Sequence, residues 1–307
     1  MDLAVSVFFN FDRAYLAAFE STPKGLKLKY INSTTHPLEF EGNNEKSIQK
    51  ASGELKEMAK DISGNISRMS ITLPGDNIIV NKIPGSSDLK FNEIRSLVDH
   101  DIRQIYPQFS FKEFVSNVFP MPPDKSGREM MLAVTIPKSD LDAVSRVIKS
   151  LRPQIDHTEV AQINAHDAFL YNYPERADQS VVIMGIGKEF IDVSVIKSRQ
   201  AAYYDLSAYT GNLDIVIREQ MKNIQKNVMK NIDAIFLYGA GLNKESLENA
   251  NETAEELNIE LKRMNAFRMM TTDISPRERE YCSRVQHIYP PVVGGVIPSY
   301  HERIKLY

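Results

Sequence analysis

Two glycine-containing turns that follow apolar strands are the features of this sequence best suited to chemistry. Gly185-Ile186-Gly187 ends the stretch "VVIMGIG", and Gly239-Ala240-Gly241 ends the stretch "AIFLYGAG". Because glycine has no side chain, backbone amides in such turns can approach an anion and hold the phosphates of a nucleotide. The same residues also suit a tight structural turn between buried strands, and the sequence leaves both interpretations open.

The cysteine and histidine residues of the sequence give little support for a nucleophilic or metal site. Cys282 is the single cysteine, which rules out an intramolecular disulfide and any site built from several cysteines. The histidines follow neither the HExxH pattern nor another metal-ligand spacing. We therefore predict no metal site and no catalytic residue, and we expect Cys282 to be a small buried residue.

The composition is that of an ordinary folded protein. At 307 residues the chain is long enough for two domains. Its 37 basic and 40 acidic side chains give a net charge of -3, so no large positive field is available to bind nucleic acid. The apolar stretches are too short to span a bilayer and the N-terminus lacks a basic leader, which together predict a cytoplasmic protein without direct membrane insertion.

The first part of the chain is predicted to contain a hairpin followed by a helix and a strand. Residues 3–9 and the stretch from Ala14 are apolar and aromatic, with "NFDR" as the turn between them. A charged helix with apolar residues at helical spacing follows, and "SRMSITLPGD" then predicts a strand that ends in a proline-glycine turn. The predicted order is strand, strand, helix, strand.

Residues 76–155 are predicted to form an inserted α+β subdomain. Its pattern is strand "IIVNKIP", a helix ended by Pro107, strands "FKEFVSNVFP" and "MMLAVTIP", and a helix capped by Ser139. The first of these helices is expected to bury one face, which carries Phe91, Ile94, Val98, Ile102 and Ile105.

The second half repeats the opening plan. Strands are predicted at 181–187, 191–197 and 200–207, followed by a helix with an apolar stripe from Leu213 to Val228. A neighbouring stripe carries Lys222, Lys226 and Lys230. We expect these lysines to face solvent, with a docking surface for an anionic partner as the alternative. The repeated order indicates an internal duplication.

Several stretches in this order resemble one known superfamily. They are "ITLPGDNIIVNKIP" with "FNEIRSLVDHDIRQIYP", then "MMLAVTIPKSDLDAVSRVIKSLRPQIDHTEV", "GIGKEFIDVSVIKSRQAAYYDLS" and "IFLYGAGLN". Over nearly the whole chain they resemble the actin-like ATPases, and most closely the PilM family of type IV pilus assembly proteins, with the FtsA family more distant. The resemblance implies a two-lobed α/β fold of the actin-like, ribonuclease H-like kind, with an inserted SHS2-like subdomain.

The resemblance also implies the domain boundaries. Residues 1–75 and 156–177 would form the first actin-like lobe, residues 76–155 the inserted subdomain, and residues 178–307 the second lobe.

In the superfamily an Asp-x-Gly-Ser or Asp-x-Gly-Thr turn wraps the phosphates. Its glycine admits the backbone, its hydroxyl donates, and its aspartate holds magnesium through water. The matching first turn of this chain has Ser6 at the aspartate position, Phe8 at the glycine position and Phe9 at the hydroxyl position. Because a phenylalanine ring would occupy the space of the phosphate oxygens, this turn is expected to have lost its function.

The second and third turns keep more of the pattern. Gly185 stands at the aspartate position, Gly187 keeps the glycine, and Gly239 with Gly241 matches the third motif. The resemblance thus implies a vestigial nucleotide pocket made of these four glycines, in which ATP and Mg²⁺ are disfavoured and no cofactor is expected.

Three carboxylates near the turns could in principle replace the missing one: Asp12, Glu189 and Asp192. Strand alternation predicts an exposed position on the strand face for Asp192, and Glu189 is expected at a hairpin tip. Efficient ATP hydrolysis is therefore not expected.

By resemblance, the chain would be a non-enzymatic scaffold of a type IV pilus or related secretion platform. Its implied partner is a PilN-like inner-membrane protein, whose cytoplasmic N-terminal segment would dock in a groove between the first lobe and the inserted subdomain. The chain would then be cytoplasmic and held at the inner membrane through that partner, with self-association as a further option.

Two alternatives stay open. One is an ATP-binding switch or ATPase in which other side chains replace the lost ones. The other is an FtsA-like filament former, which is less favoured because the last residues, "SYHERIKLY", are too few for an amphipathic membrane anchor.

Overall fold

A computed structural model describes residues 2–10, 13–35, 44–75, 78–86, 88–108, 110–124, 126–151, 154–301 and 303–306. The strands are β1 (Asp2–Asn10), β2 (Arg13–Thr22), β3 (Gly25–Ser33), β4 (Asn65–Leu73), β5 (Ile79–Pro84), β6 (Phe114–Met121), β7 (Met130–Pro137), β8 (Ile155–Val160), β9 (Ser180–Ile186), β10 (Phe190–Lys197), β11 (Gln200–Ala208), β12 (Ala234–Tyr238), β13 (Glu260–Arg263), β14 (Thr271–Thr272) and β15 (Ile304–Leu306). The helices are α1 (Glu45–Ala59), α2 (Phe91–Ile105), α3 (Lys138–Ile148), α4 (Ala161–Asn172), α5 (Leu213–Asn227), α6 (Lys244–Glu256), α7 (Pro276–Val285) and α8 (Pro290–Gly294).

The first sheet has the strand order β14-β3-β2-β1-β4-β8. Strands β1, β2 and β3 are antiparallel neighbours, whereas β4 and β8 continue the sheet in parallel with β1. Strand β1 is buried along almost its whole length, as its mainly apolar sequence predicts for a strand covered on both faces.

The second sheet repeats this arrangement. Its order is β11-β10-β9-β12-β13, with an antiparallel three-strand meander followed by two parallel strands. The order matches β3-β2-β1-β4-β8 strand for strand, so the internal duplication predicted from the sequence is present in the topology.

The third sheet, β15-β6-β7-β5, forms most of the predicted inserted subdomain. Helix α2 packs on it with Ile94, Val98 and Ile102, as predicted. The two ends of the predicted buried stripe are wrong, because Phe91 is 46% exposed and Ile105 is 47% exposed.

Other differences concern helix and strand ends. Helix α3 begins at Lys138, so Ser139 lies within the helix and is not its cap. Strand β3 and the elements α7, α8, β14 and β15 were not predicted. The most distant in sequence is β15, which pairs antiparallel with β6 and so brings residues near the C-terminus into the third sheet.

The contacts divide the chain into two compact units. The first comprises Met1–Gly75, Ser139–Asn172 and Asn265–Ser299, and the second comprises Asp76–Lys138, Tyr173–Met264 and Tyr300–Tyr307. The first unit thus contains the first sheet, and the second unit contains both other sheets. The three-domain division made from the sequence stays a prediction.

Helix α4 lies in the interior of the first unit. Eleven of its residues are buried although many of them are polar, and α8 is buried along its whole length. Among the described residues, no helix combines the length and the apolar character needed to cross a membrane.

Candidate functional site

The positions that match the first phosphate turn lie within strand β1, where they pair with β2. Phe8 is 6% exposed and Phe9 is 4% exposed. The ring of Phe8 stacks on that of Tyr15 with 6.2 Å between the ring centroids, and it belongs to the same apolar cluster as Val292 and Val293 of α8. An apolar ring therefore fills the position where bare backbone would have to approach a phosphate.

Ser6, at the aspartate position of that turn, is fully enclosed. Its hydroxyl has no hydrogen-bond partner among the described residues. A Cβ atom at Gly295 would overlap this hydroxyl and would lie 3.4 Å from the Cβ of Ser70. The position offers neither a carboxylate nor room for a hydrated magnesium ion.

Gly185, at the aspartate position of the second turn, lies against the ring of Tyr238. The two residues are register partners on the parallel strands β9 and β12. A Cβ atom at Gly185 would lie 2.9 Å from Cε1 of Tyr238 and would overlap its hydroxyl group. The position requires glycine because a tyrosine side chain packs there.

The third turn packs directly on the second. Gly239 has a φ of 112°, in the left-handed region that favours glycine. A Cβ atom at Gly239 would lie 2.8 Å from the backbone nitrogen of Ile186, and one at Gly241 would lie 2.9 Å from the carbonyl oxygen of Ile186. The second turn thus leaves no room for a side chain at Gly239 or Gly241 of the third turn.

The structure therefore brings the four predicted site glycines together at the carboxyl ends of β9 and β12. Two of their amides are already used within the protein. The N–H of Gly241 donates to the carbonyl of Ile186 at 2.9 Å, and the N–H of Gly187 donates to the carbonyl of Phe190 at 3.0 Å. Because a phosphate cradle needs several amides that point at the ligand, this pairing removes two of its donors.

Of the three candidate replacement carboxylates, the structure describes Glu189 and Asp192. Asp192 lies opposite Gly185 and is half-buried, not exposed as expected, and it accepts a hydrogen bond of 2.7 Å from the hydroxyl of Tyr204. Burial raises the pKa of Tyr238 well above its usual value, and the nearby Asp192 carboxylate raises this pKa further. Glu189 is exposed, as expected of a hairpin tip, and Asp12 lies outside the described residues.

No group of three or more metal-ligating side chains occurs within the described ranges. Cys282 is half-buried, and burial together with Glu278 raises the pKa of its thiol to about 11. It lines a cavity of about 220 Å³ in the first unit, beside Phe267 and Met270. A thiol with a raised pKa is a poor nucleophile at neutral pH.

Sequence reasoning missed a buried polar link between β4, α4 and α8. The side-chain amide of Asn164 donates to the hydroxyl of Thr72 at 2.7 Å, and this hydroxyl donates to the carbonyl of Pro291 at 3.0 Å. Gly294 packs so closely on α4 that a Cβ atom there would lie 2.8 Å from the Cα of Asn164. A signal was present in the Gly294-Gly295 pair, which marks close approach of two backbones.

Two sheets of matching strand order, with glycine turns at the carboxyl ends of β9 and β12, define the class: the chain has a two-lobed α/β fold of the actin-like kind. The chain is similar in structure to a chain of the "PilM-PilN type IV pilus biogenesis complex", with a TM-score of 0.80 and a sequence identity of 14%. The alignment covers 96% of this chain and 99% of that chain. The resemblance of the sequence to the PilM family is thus confirmed at the level of the fold.

Two other solved structures are more distant. An actin-like ATPase-fold protein of unknown function from Bacteroides thetaiotaomicron has 12% identity and a TM-score of 0.49 over 85% of this chain and 90% of that chain. The cytoplasmic domain of EpsL, an inner-membrane component of the type II secretion system of Vibrio cholerae, has 7% identity and a TM-score of 0.48 over 86% of this chain and 98% of that chain. No protein-family model and no curated protein sequence matches the chain.

Proposed function

We propose that this protein is a PilM-like assembly scaffold of a type IV pilus or a related secretion platform. The observation that carries the proposal is the likeness to a chain of the PilM–PilN complex, which spans nearly the full length of both chains with a TM-score of 0.80. A similarity limited to one domain would support only a shared building block, whereas this one covers 96% of this chain and 99% of the other chain.

The proposed partner is a PilN-like inner-membrane protein that offers a short cytoplasmic N-terminal segment. The scaffold would then reside in the cytoplasm and be held at the inner membrane by this contact. Three of the large apolar side chains exposed among the described residues lie on or next to α2 of the inserted subdomain, namely Phe91, Ile105 and Tyr106. Exposed apolar side chains of this kind are the usual anchors for a peptide.

We further propose that the nucleotide pocket is degenerate and that the protein is not an enzyme. Phe8 fills the apolar core at the glycine position of the first turn, and Gly185 supplies no carboxylate in the second. Two glycine amides are bound to protein carbonyls. Each lost donor or carboxylate removes about 3–4 kcal/mol of transition-state stabilisation in enzymes that rely on such groups, so turnover of ATP is not expected.

Fluorescence anisotropy of a labelled synthetic peptide tests the scaffold role. The peptide is the cytoplasmic N-terminal segment of a PilN-like inner-membrane protein, and a scrambled peptide is its control. We expect saturable binding to the full chain. A dissociation constant of about 100 μM corresponds to a binding free energy of about 5.5 kcal/mol, and weaker binding would go undetected. If the peptide does not bind at about 100 μM, the proposal is contradicted.

Matched variants locate the contact. Phe91→Ser with Tyr106→Ser removes exposed apolar anchors from the inserted subdomain and is expected to weaken binding about tenfold or more. Ile215→Ser on α5 changes a side chain of similar exposure, 47% against 46% for Phe91, and is expected to leave binding unchanged. Equal loss in both variants would assign the contact to another surface.

A further inference from the structure

A cleft in the second unit has the composition of a recognition site. Its volume is about 220 Å³, and it is bordered by β5, by the β6–β7 connection, by the β10–β11 hairpin and by the residues that follow α5. It lies entirely within the second unit and shares no residue with the four glycines of the turns.

The walls of this cleft are apolar and adaptable. Three methionines line it, Met121, Met130 and Met229, together with Pro122 and Val228. Each of these side chains is partly exposed. Methionine is unbranched and polarisable, and surfaces rich in it accommodate apolar side chains of different shapes.

The charged side chains that line the cleft are unbalanced. Lys82 and Lys197 both border it and both are exposed. Burial lowers the pKa of Lys82, whereas the nearby carboxylate of Asp205 favours the charged form of this lysine. The ammonium group of Lys82 lies 4.4 Å from the centroid of the Tyr203 ring, which fixes its position beside the cleft.

Asp124, the one acidic side chain among the described residues that line the cleft, is already engaged. The carboxylate of Asp124 accepts hydrogen bonds from the Ser126 hydroxyl at 2.6 Å, from the Ser126 N–H at 2.8 Å and from the Arg128 N–H at 3.0 Å. Its second oxygen accepts from Nε of Arg128 at 3.0 Å. Because its own loop satisfies it, Asp124 does not neutralise the two lysines.

Further positive charge lies nearby in the chain. Lys226 and Lys230 flank the cleft residues Asn227–Met229 and are exposed, so the lysine stripe of α5 ends at the cleft. The lysines of this stripe face solvent, as expected from the sequence, and a docking surface for an anionic partner stays a prediction.

The size of the cleft selects among anionic ligands. Pockets for drug-sized molecules and cofactors have volumes of about 300–1,000 Å³, so a volume of 220 Å³ suits one or two amino-acid side chains better than a nucleotide. The methionine walls can contact an apolar side chain, and the two lysines at the rim can pair with carboxylates on either side of it.

We propose that this cleft binds a linear peptide segment in which an apolar residue is flanked by Asp or Glu, with the apolar side chain among Met121, Met130 and Met229 and the carboxylates on Lys82 and Lys197. The proposal does not depend on the scaffold role, since it concerns a different surface.

Methyl NMR of the full chain labelled at the methionine methyl groups tests the proposal. The probe is a mixture of nonapeptides with Leu, Met or Phe at the centre and Asp or Glu on both sides, and its control mixture carries Asn and Gln instead. We expect the signals of Met121, Met130 and Met229 to shift with the acidic mixture. The signal of Met184, which is 0% exposed in the core of the same unit, is expected to stay in place.

Charge variants test the role of the lysines. Lys82→Gln and Lys197→Gln are each expected to weaken binding about threefold to tenfold, with the loss reduced by added salt. Lys188→Gln, at an exposed lysine outside the cleft, is the matched control and is expected to leave the affinity unchanged.

Three outcomes overturn the proposal. They are no shift of the three methionine signals with the acidic mixture at millimolar concentration, equal binding of the amide mixture, and tighter occupation of the cleft by Mg·ATP or by vesicles of phosphatidylglycerol than by the acidic peptides. Shifts that depend on both lysines and on the carboxylates support it, whatever the result with the inner-membrane partner.

Discussion

Gly185 and Tyr238 occupy the same register position on neighbouring parallel strands, and the tyrosine side chain covers the glycine. The hydroxyl of Tyr238 is buried, and the residue is only 3% exposed. In a nucleotide-binding turn a glycine leaves space for a ligand. Here the space beside Gly185 is filled by a side chain of the protein itself, which makes the glycine a requirement of packing.

This relationship predicts the effect of a single methyl group. Gly185→Ala and Gly241→Ala are each expected to lower the free energy of unfolding by about 1–3 kcal/mol, because the added Cβ overlaps Tyr238 in one case and the backbone of the second turn in the other. Urea denaturation of the full chain measures the change.

Gly53→Ala is the matched control for these variants. Gly53 lies within α1, is exposed, and has nothing within 4 Å of a Cβ atom. The substitution is expected to raise the free energy of unfolding by about 0.5–1 kcal/mol, since glycine is a poor helix former. If Gly185→Ala, like Gly53→Ala, does not lower the free energy of unfolding, the turns have room for a side chain.

The aromatic residue in the first turn predicts that a nucleotide site cannot be restored by one substitution. Phe8→Ala removes a ring from the apolar cluster and is expected to cost about 3–5 kcal/mol of stability. Differential scanning fluorimetry with millimolar Mg·ATP is expected to show no rise in melting temperature.

Phe119→Ala serves as the comparison, because Phe119 is an equally enclosed ring in the second unit, 1% exposed. Both variants are expected to be destabilised and unresponsive to ATP. A ligand at 100 times its dissociation constant stabilises the folded protein by about 2.7 kcal/mol. If ATP stabilised Phe8→Ala by this amount and did not stabilise Phe119→Ala, the Phe8 ring would be shown to block a functional site.

Periodicity predicted most of the strands and helices, and its errors have physical causes. The strands that carry the glycine turns, β9 and β12, are short apolar runs bounded by glycine, and these are the strongest strand signals in the chain. Helix α2 was placed correctly, but Phe91 and Ile105 are exposed because the third sheet supports only its middle turns. Apolar spacing indicates a possible buried face and does not show how far the supporting sheet extends.

The parts that sequence could not supply depend on distant pairings. Strand β15 has three residues and is recognisable only through its pairing with β6. For α4 the sequence predicted a helix but not its complete burial, because the buried residues include Gln162, Asn164 and Asp167 and its hydropathy gives no amphipathic pattern. In the same way, the cleft near Lys82 joins residues from separate parts of the chain, and only their meeting in space reveals the uneven charge.

The link through Thr72 predicts a penalty for losing one hydroxyl. Thr72→Val keeps the shape of the side chain but leaves the Asn164 amide without its acceptor and the Pro291 carbonyl without its donor. The expected loss of stability is about 1–3 kcal/mol, measured by urea denaturation. Thr72→Ser retains the hydroxyl and is expected to lose less, whereas equal losses would show that the methyl group matters more than the hydrogen bonds.

His301 predicts a pH dependence. Burial, with a smaller effect of Arg303, lowers the pKa of this imidazole to about 4 in the folded protein, from about 6.5 in an unfolded chain. Between these values the unfolded state binds a proton that the folded state does not, so stability is present above pH 6.5 and is lost as the pH falls toward 4. The loss attributable to His301 is expected to approach about 3 kcal/mol.

The measurement compares urea denaturation at pH 7 and pH 5. His301→Gln is expected to reduce the difference in unfolding free energy between the two pH values. His100→Asn, at an exposed position of α2, is expected to preserve this difference. An unchanged pH dependence in His301→Gln would assign the acid sensitivity to other groups.

The affinity of the full chain for the proposed PilN-like partner, measured with and without Mg·ATP, tests the account most directly. The partner is held in a nanodisc with its cytoplasmic N-terminal segment exposed. If the nucleotide turns are closed on each other, ATP does not bind and cannot affect the binding of the partner. We therefore predict that Mg·ATP changes the affinity for the partner by less than about twofold. No binding to the partner, or a change in affinity of about tenfold on adding Mg·ATP, would contradict the account.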